Sequence, residues 1–350
     1  MADRSLGSPR GMVQKEAGSH FVDLDGALNT DGCTYTISAS SAQKHVKPRK
    51  RKIIIISAIT MVAITALALG LGLGLGLTNA KSTTQHSVPP EPSPSSDITS
   101  NGNAFKDLGL KPGTTFDYPL GFSLTTSNAN KTTKFYPVDL ENTPKTTIGA
   151  LTEAGHTIVC YFSAGSVESY RADAGDIPKD AVGKTLEGWE DERWLDVRNQ
   201  GVRDVMAKRI RTAADKGCVG VDPDNIDGYQ NDSGFDLTAD DAVDFVAFLS
   251  ETAHAAGLAV GLKNGGDIVE RVVDMTEWAI NEQCAEYGEC DSWAPFIDAG
   301  KPVFHVEYTA DDDATSVSAS QRKKACSAGG NSGFSSIIKH MSLDDWIVYC

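Results

Sequence analysis

From Val202 to Tyr229 the chain reads VRDVMAKRIRTAADKGCVGVDPDNIDGY. Its first fifteen residues, Val202–Lys216, are amphipathic at helical spacing and stop at Gly217. A short β-branched run, Val219–Asp222, follows at once and breaks at Pro223, which cannot donate to a sheet ladder. A helix closed by glycine just before an apolar strand is the unit of a βα repeat. The motif recurs outward in both directions. Strands are expected at Lys134–Leu140, Thr157–Phe162, Arg193–Val197, Val219–Asp222, Leu258–Lys263, Trp278–Glu282, Pro302–Tyr308 and Phe334–His340. Helix-like segments lie between most of them: Val202–Lys216, Ala239–Ala256, Ile268–Asp274, Trp293–Ala299 and Ala319–Ser327. Eight strands alternating with helices over roughly 250 residues point to an α/β fold, a (β/α)₈ TIM barrel. An open doubly wound sheet is the alternative, and it is weakened because no GxGxxG follows a strand.

In a barrel the chemistry gathers at the C-terminal ends of the strands. Here those ends are rich in carboxylates: Asp139 on the first, Asp196 on the third, Asp222 and Asp224 on the fourth, Glu282 on the sixth and Glu307 on the seventh, with Lys263-Asn264 closing the fifth. Period-two alternation puts Asp222 and Asp224 on one face and Glu307 on the face of His305. Two carboxylates facing across a barrel mouth are the equipment of glycoside hydrolysis. Aromatic side chains able to stack on sugar rings stand near the same ends: Tyr136, Tyr161, Trp189, Trp194, Tyr229 and Tyr308.

Each of these has a plainer reading. Asp222, Asp224 and Asp227 are spaced to hold a hard cation, but the twelve-residue calcium loop is absent. Asp139 and Asp196 are equally well suited to capping a helix or pairing with Arg193 or Arg198. Lys263 fits a buried ion pair as well as a substrate contact, and His305 a satisfied interior residue. The run Phe162-Ser163-Ala164-Gly165-Ser166 is not a GxSxG elbow, and no HExxH occurs, so serine-triad and zincin chemistries are set aside. No cofactor is called for.

The 350 residues carry a net charge of −15, unevenly spread. Residues 1–52 hold nine Lys/Arg against five Asp/Glu and residues 53–77 hold neither, which leaves 23 basic and 42 acidic side chains, a net of −19, for residues 78–350. Such a surface excludes general nucleic-acid binding and favours a cationic or neutral partner. Ile53–Leu77 is long and apolar enough to span a bilayer, and Lys47-Pro48-Arg49-Lys50-Arg51-Lys52 precedes it. The expected organisation is a disordered cytoplasmic tail (1–52), a transmembrane signal-anchor helix (53–77), a Pro/Ser/Thr stalk (78–103) and a monomeric catalytic domain (104–350). The protein would then cross the cell membrane once in type II orientation, with the domain outside or in the secretory lumen. Six cysteines fall on that side. Cys284 and Cys290 are close enough to close a small loop, and Cys326 with Cys350 can tie down the C-terminus. Cys160 and Cys218 remain, as a third bridge or as two buried thiols. Sequons at Asn130 and Asn231 are candidate glycan sites.

The motifs VCYFSAGSVESYR, ERWLDVRN, GVDPDNIDGY, GLKN, WAINEQC and FHVEY, in that order over about residues 114–345, resemble glycoside hydrolase family 114, the endo-α-1,4-polygalactosaminidases, in a membrane-anchored form similar to those of filamentous fungi. The resemblance implies a (β/α)₈ barrel that cuts internal α-1,4 linkages in galactosamine polymers. It places the acidic pair on Asp224 and Glu282. By analogy with related retaining barrels, Asp224 is the nucleophile and Glu282 the acid/base. Deacetylated galactosamine is cationic, which suits an acidic cleft. Asp139, Asp196 and Glu307 become candidates for ammonium subsites. Tyr161, Trp189 and Tyr308 become candidate sugar platforms, and Lys263 and Asn264 further substrate contacts, with Lys263 bonding a hydroxyl or setting a carboxylate's pKa. Two other readings stand beside this one. One is a non-catalytic cell-surface carbohydrate-binding protein on the same barrel. The other is a metal-assisted hydrolase built on Asp222, Asp224 and Asp227.

Overall fold

The computed structural model describes residues 108–350. The expected tail, membrane span and stalk lie outside the described residues. Among the described residues no helix is long and apolar enough to cross a membrane.

The chain runs β1 (Phe135–Asp139), α1 (Lys145–Glu153), β2 (Thr157–Ser163), β3 (Ser166–Glu168), β4 (Val182–Leu186), β5 (Trp189–Leu195), α2 (Gln200–Lys216) and β6 (Gly220–Asp224). It continues through α3 (Ala239–Ala255), β7 (Ala259–Lys263), α4 (Val269–Val272), β8 (Trp278–Glu282), α5 (Cys284–Tyr287) and α6 (Ala294–Asp298). The last elements are β9 (Val303–Tyr308), α7 (Ala319–Cys326), β10 (Ser335–Lys339) and β11 (Ile347–Tyr349). The long helices are stopped where the sequence says. Asn199 caps α2, accepting a bond from the Gly201 N–H, and Gly217 ends it at φ 89°. Thr238 and Asp241 form a capping box at the start of α3.

Eight strands form one curled sheet in the order β1-β2-β6-β7-β8-β9-β10-β11. All neighbours are parallel except β10 and β11. The sheet's two ends are drawn together. Phe116 bridges in parallel to Phe135 beside β1, and its neighbour Asp117 lies 3.1 Å from Lys339 Nζ on β10. The Tyr349 hydroxyl of β11 bonds Thr133 Oγ1 at 2.9 Å. This is the sheet of a (β/α)₈ barrel, with one correction. The run Arg193–Val197, expected as the third barrel strand, belongs to β5, which pairs antiparallel with β3 and β4 in a separate three-stranded sheet. The barrel passes directly from β2 to β6, and its eighth position is filled by the antiparallel β11. A half-buried hairpin strand alternates with the same period as a barrel strand, so periodicity does not separate them.

Two apolar layers hold the sheet. The outer faces of the strands and the helices share one cluster that includes Ile158, Cys160, Phe162, Met206, Ile210, Phe245 and Leu249. The barrel interior holds the second, Phe116, Tyr118, Phe135, Trp278, Ile280, Phe304 and Val306 among it. Trp278 spans the interior because β6 and β7 present glycine to it. A Cβ on Gly261 would stand 2.1 Å from Trp278 Nε1, and one on Gly220 would stand 2.7 Å from Cη2. Three disulfides, Cys160–Cys218, Cys284–Cys290 and Cys326–Cys350, complete the frame, so the pair left open by the sequence is a bridge.

Candidate active site

The adjacent strands β6, β7 and β8 end in Asp224, Lys263 and Glu282. Each of these is followed by a non-glycine residue in the left-handed region: Asn225 at φ 61°, Asn264 at φ 55° and Gln283 at φ 63°. Such conformations cost energy and collect at functional sites. The kink turns the chain out of the sheet as soon as the functional side chain has been delivered. The Lys263 ammonium, almost wholly buried, lies 3.1 Å from both oxygens of Asp224 and 2.7 Å from Oε2 of Glu282. These contacts bound the distance from either Asp224 oxygen to Glu282 Oε2. It does not exceed 5.8 Å, the sum of 3.1 and 2.7 Å.

The surrounding groups fix both carboxylates. Tyr161 on β2 donates to Asp224 Oδ2 at 2.9 Å, and Tyr308 on β9 donates to Glu282 Oε1. Asn264 donates to Glu282 Oε2 at 3.0 Å and accepts from the Glu282 backbone N–H. Burial pushes the Glu282 carboxyl up, but Lys263 and the bonds from Tyr308 and Asn264 outweigh it and hold the group below the usual glutamate range. Lys263 is itself pulled well above the ordinary lysine range: burial opposes its charge, and Asp224, Glu282 and Asp222 more than offset that.

One layer deeper, Asp222 is fully buried. Its Oδ2 accepts from Tyr118 at 3.1 Å, and burial raises its carboxyl to about 7. Past β6, burial beside Asp224 raises Asp227 to about 6. Glu192 on β5 is raised to about 7 by burial and by the charges of Glu168 and Asp224, and it accepts from Ser166 at 2.8 Å. Among the described residues neither Glu192 nor Asp227 takes part in an ion pair. Sequence reasoning passed over Tyr118, which sits in an irregular segment before β1, and Glu192, which reads as one more hairpin acid.

The structure brings Asp224, Glu282, Lys263, Asn264, Tyr161 and Tyr308 together. The other candidates stand apart. Asp139 is held bidentately by Arg171, at 3.0 and 2.6 Å. Asp196 lies beyond β5 with both oxygens taken by Arg198. Glu307 faces the outer layer with His305. It accepts from Ala285 N–H at 2.9 Å and lies 2.9 Å from His305 Nε2, so His305 is a satisfied residue of the outer face. Trp189 is half-exposed at the start of β5 in the small sheet. Of the other aromatics, Tyr136 and Trp194 are buried. The positive charge beside Asp222 and Asp224 is the Lys263 ammonium. Among the described residues the set placed to ligate a metal is Cys284, Cys290 and His305, two of which are joined as a disulfide.

Two strand-end carboxylates thus share one buried cation where β6, β7 and β8 end. The model of glycoside-hydrolase family GH114 matches residues 99–350. The chain belongs to this family. As a GH114 member it is a glycoside hydrolase. It is similar to Ega3 of Aspergillus fumigatus, solved as a complex with galactosamine, at 44% identity and a TM-score of 0.66, with 69% of this chain and 96% of Ega3 covered. It is also similar to the glycoside hydrolase domain of PelA from Pseudomonas aeruginosa, at 14% identity and a TM-score of 0.51, with 67% and 97% covered. That second likeness speaks for the fold. A search of curated proteins finds no match. The GH114 match spans all of 104–350 and begins within the segment 78–103.

Proposed function

We propose that this chain is an endo-acting hydrolase of α-1,4-linked galactosamine polymers, working with retention through Asp224 as nucleophile and Glu282 as acid/base. The observation that carries the reading is Lys263 bonded to both carboxylates. The 5.8 Å bound falls below the roughly 6.5 Å at which inverting pairs begin and suits the roughly 5–5.5 Å of retaining ones. In the first step an Asp224 oxygen bonds to the anomeric carbon, the bond to the leaving oxygen breaks, and Glu282 delivers its proton to that oxygen. In the second, water attacks the anomeric carbon, Glu282 takes its proton, and Asp224 leaves as the carboxylate. Lys263 keeps Glu282 ionised in the free enzyme, so the acid form assembles when a bound sugar takes over part of the ammonium's hydrogen bonding.

The likeness to Ega3 with galactosamine supports the substrate class. So does the net charge of −19 on residues 78–350. Asp139, Asp196 and Glu307 are already bonded within the protein, so the substrate ammonium groups fall to Asp227 and Glu192. Tyr161 and Tyr308 border the reacting sugar. Trp189 offers a platform further along the polymer. The Ile53–Leu77 span anchors the protein in type II orientation, with the hydrolase outside. Glycan addition at Asn130 or Asn231, both exposed, would report that topology.

The test is a reducing-end assay on α-1,4-galactosaminan, with the anomeric configuration of the first product read by NMR. An initial α product supports retention and a β product overturns it. Asp224→Asn should abolish cleavage while keeping polymer binding. A carbohydrate-binding protein without activity would release no ends even as wild type.

A further inference from the structure

Beneath the catalytic pair lies an acid that the two-step mechanism does not use. Asp222 has no exposed surface. It shares the inner face of β6 with Asp224, two residues on, and sits in register with Tyr161 of β2. One of its oxygens accepts the Tyr118 hydroxyl, and the other, Oδ1, has no hydrogen-bond partner. The Tyr118 ring in turn carries the Lys263 ammonium over its face, 5.6 Å from the centroid. The charged and titratable groups facing Asp222 are thus Tyr118 from the N-terminal segment, Tyr161 from β2, Asp224 from its own strand, Lys263 from β7 and Glu282 from β8. A buried carboxylate with an open lone pair is costly, whereas the neutral acid carries its proton on one oxygen and is cheap to bury. Among the described residues the cation acting on it is Lys263, already divided between Asp224 and Glu282.

We propose that Asp222 is a positioning residue for hydrolysis. As a neutral acid beneath Lys263 it leaves the ammonium committed to Asp224 and Glu282, and on ionising it draws Lys263 inward and loosens both. This rests on the hydrolase reading above. Its consequence is an alkaline limit to activity set by Asp222. Glu282, held below the usual range, loses its proton first and sets the acid-side decline of kcat/KM; ionisation of Asp222 adds a second, steeper fall at higher pH, and that second fall is the alkaline limit. The rise of Asp222 to about 7 agrees with this assignment.

The experiment is the pH profile of kcat/KM on one deacetylated galactosaminan, with the full-length chain. Asp222→Asn is neutral at every pH. It should keep acid-side activity within about tenfold of wild type and move the alkaline limb upward by about one unit or more. Tyr118→Phe removes a bond that favours the ionised form, so it should move the same limb upward by less, and it decides the matter if Asp222→Asn does not fold. The substrate's own amine titrates alike in every arm. An alkaline limb that stays in place in the folded variants overturns the inference alone. A wild-type chain that cleaves nothing overturns the hydrolase reading and this inference with it.

Discussion

The Lys263 ammonium lies 2.7 Å from Glu282 Oε2, nearer than the 3.1 Å that separates it from either oxygen of Asp224. Glu282 therefore holds the firmer share of the cation in the free protein. Replacing Lys263 by Met removes the charge and leaves two carboxylates to repel one another, so both hold protons to higher pH. We expect kcat to fall by about a hundredfold or more and the pH optimum of the residual activity to move upward. A pH–rate profile decides this. An optimum that stays in place would show that Lys263 does not govern the pair.

Glu192 gives a second test, directed at the charge of the substrate. Its carboxyl, raised to about 7, has Ser166 as donor and, among the described residues, no ion-pair partner; Arg171 lowers it only in part, being itself bonded to Glu168 and Asp139. In the proposed function a substrate ammonium pairs with the ionised form of Glu192, so wild-type KM for deacetylated polymer should rise as pH falls through 7. Glu192→Gln should raise that KM about fivefold at pH 8, an exposed-pair energy of roughly 1 kcal/mol, and flatten its pH dependence. KM for fully acetylated polymer should not change. Equal effects on both polymers would remove Glu192 from the ammonium contacts.

The disulfides should separate stability from activity. Cys160–Cys218 encloses 58 residues of separation and Cys284–Cys290 only 6. In the chain-entropy model the first stabilises by about 4 kcal/mol and the second by about 2 kcal/mol. Double Ser substitution of the long bridge should lower Tm further. Substitution of the short one should cost more in kcat, because Gln283 alone separates Glu282 from Cys284. Thermal melts and steady-state rates on the two variants check the order.

Two glycines test the packing. Gly261→Ala places a methyl 2.1 Å from the Trp278 indole nitrogen, a backbone-anchored clash in a filled interior, and should cost about 1–3 kcal/mol or more. Gly149→Ala, on α1 with nothing within 4 Å of the new Cβ, should stabilise by roughly 0.5–1 kcal/mol. Denaturant melts giving the same sign for both would contradict the packing of the barrel interior.

Much of this was legible in the residues. Seven of the eight expected strands lie in the barrel sheet, since helix, glycine and apolar run are all local signals. Strand-end position marks Asp224 and Glu282 only as members of a set with Asp139, Asp196, Asp222 and Glu307, and the resemblance to family 114 is what singles out the pair. The placement of β5 was not legible, because what distinguishes a hairpin strand from a barrel strand is its partner, and partners are non-local. The same holds for the acids. Asp139 and Asp224 look alike in sequence, yet one is occupied by Arg171, 32 residues on, and the other by Lys263 and Tyr161. Tyr118 carries no periodic signal, and its role follows from where the barrel interior places it.

The residues Asn225, Asn264 and Gln283 put a left-handed backbone step directly after the last residue of three neighbouring strands. The loops begin beyond these three steps, while Asn225 and Asn264 stay bonded to the strand-end carboxylates. Drift or design can lengthen, shorten or recharge those loops and so alter which polymer is gripped, while the cleavage apparatus stays in place. The converse also follows. A β-branched residue at Asn225 or Gln283 would strain the backbone beside Asp224 or Glu282 while leaving both carboxylates encoded, whereas at Asn264 it would also remove the amide that bonds Glu282.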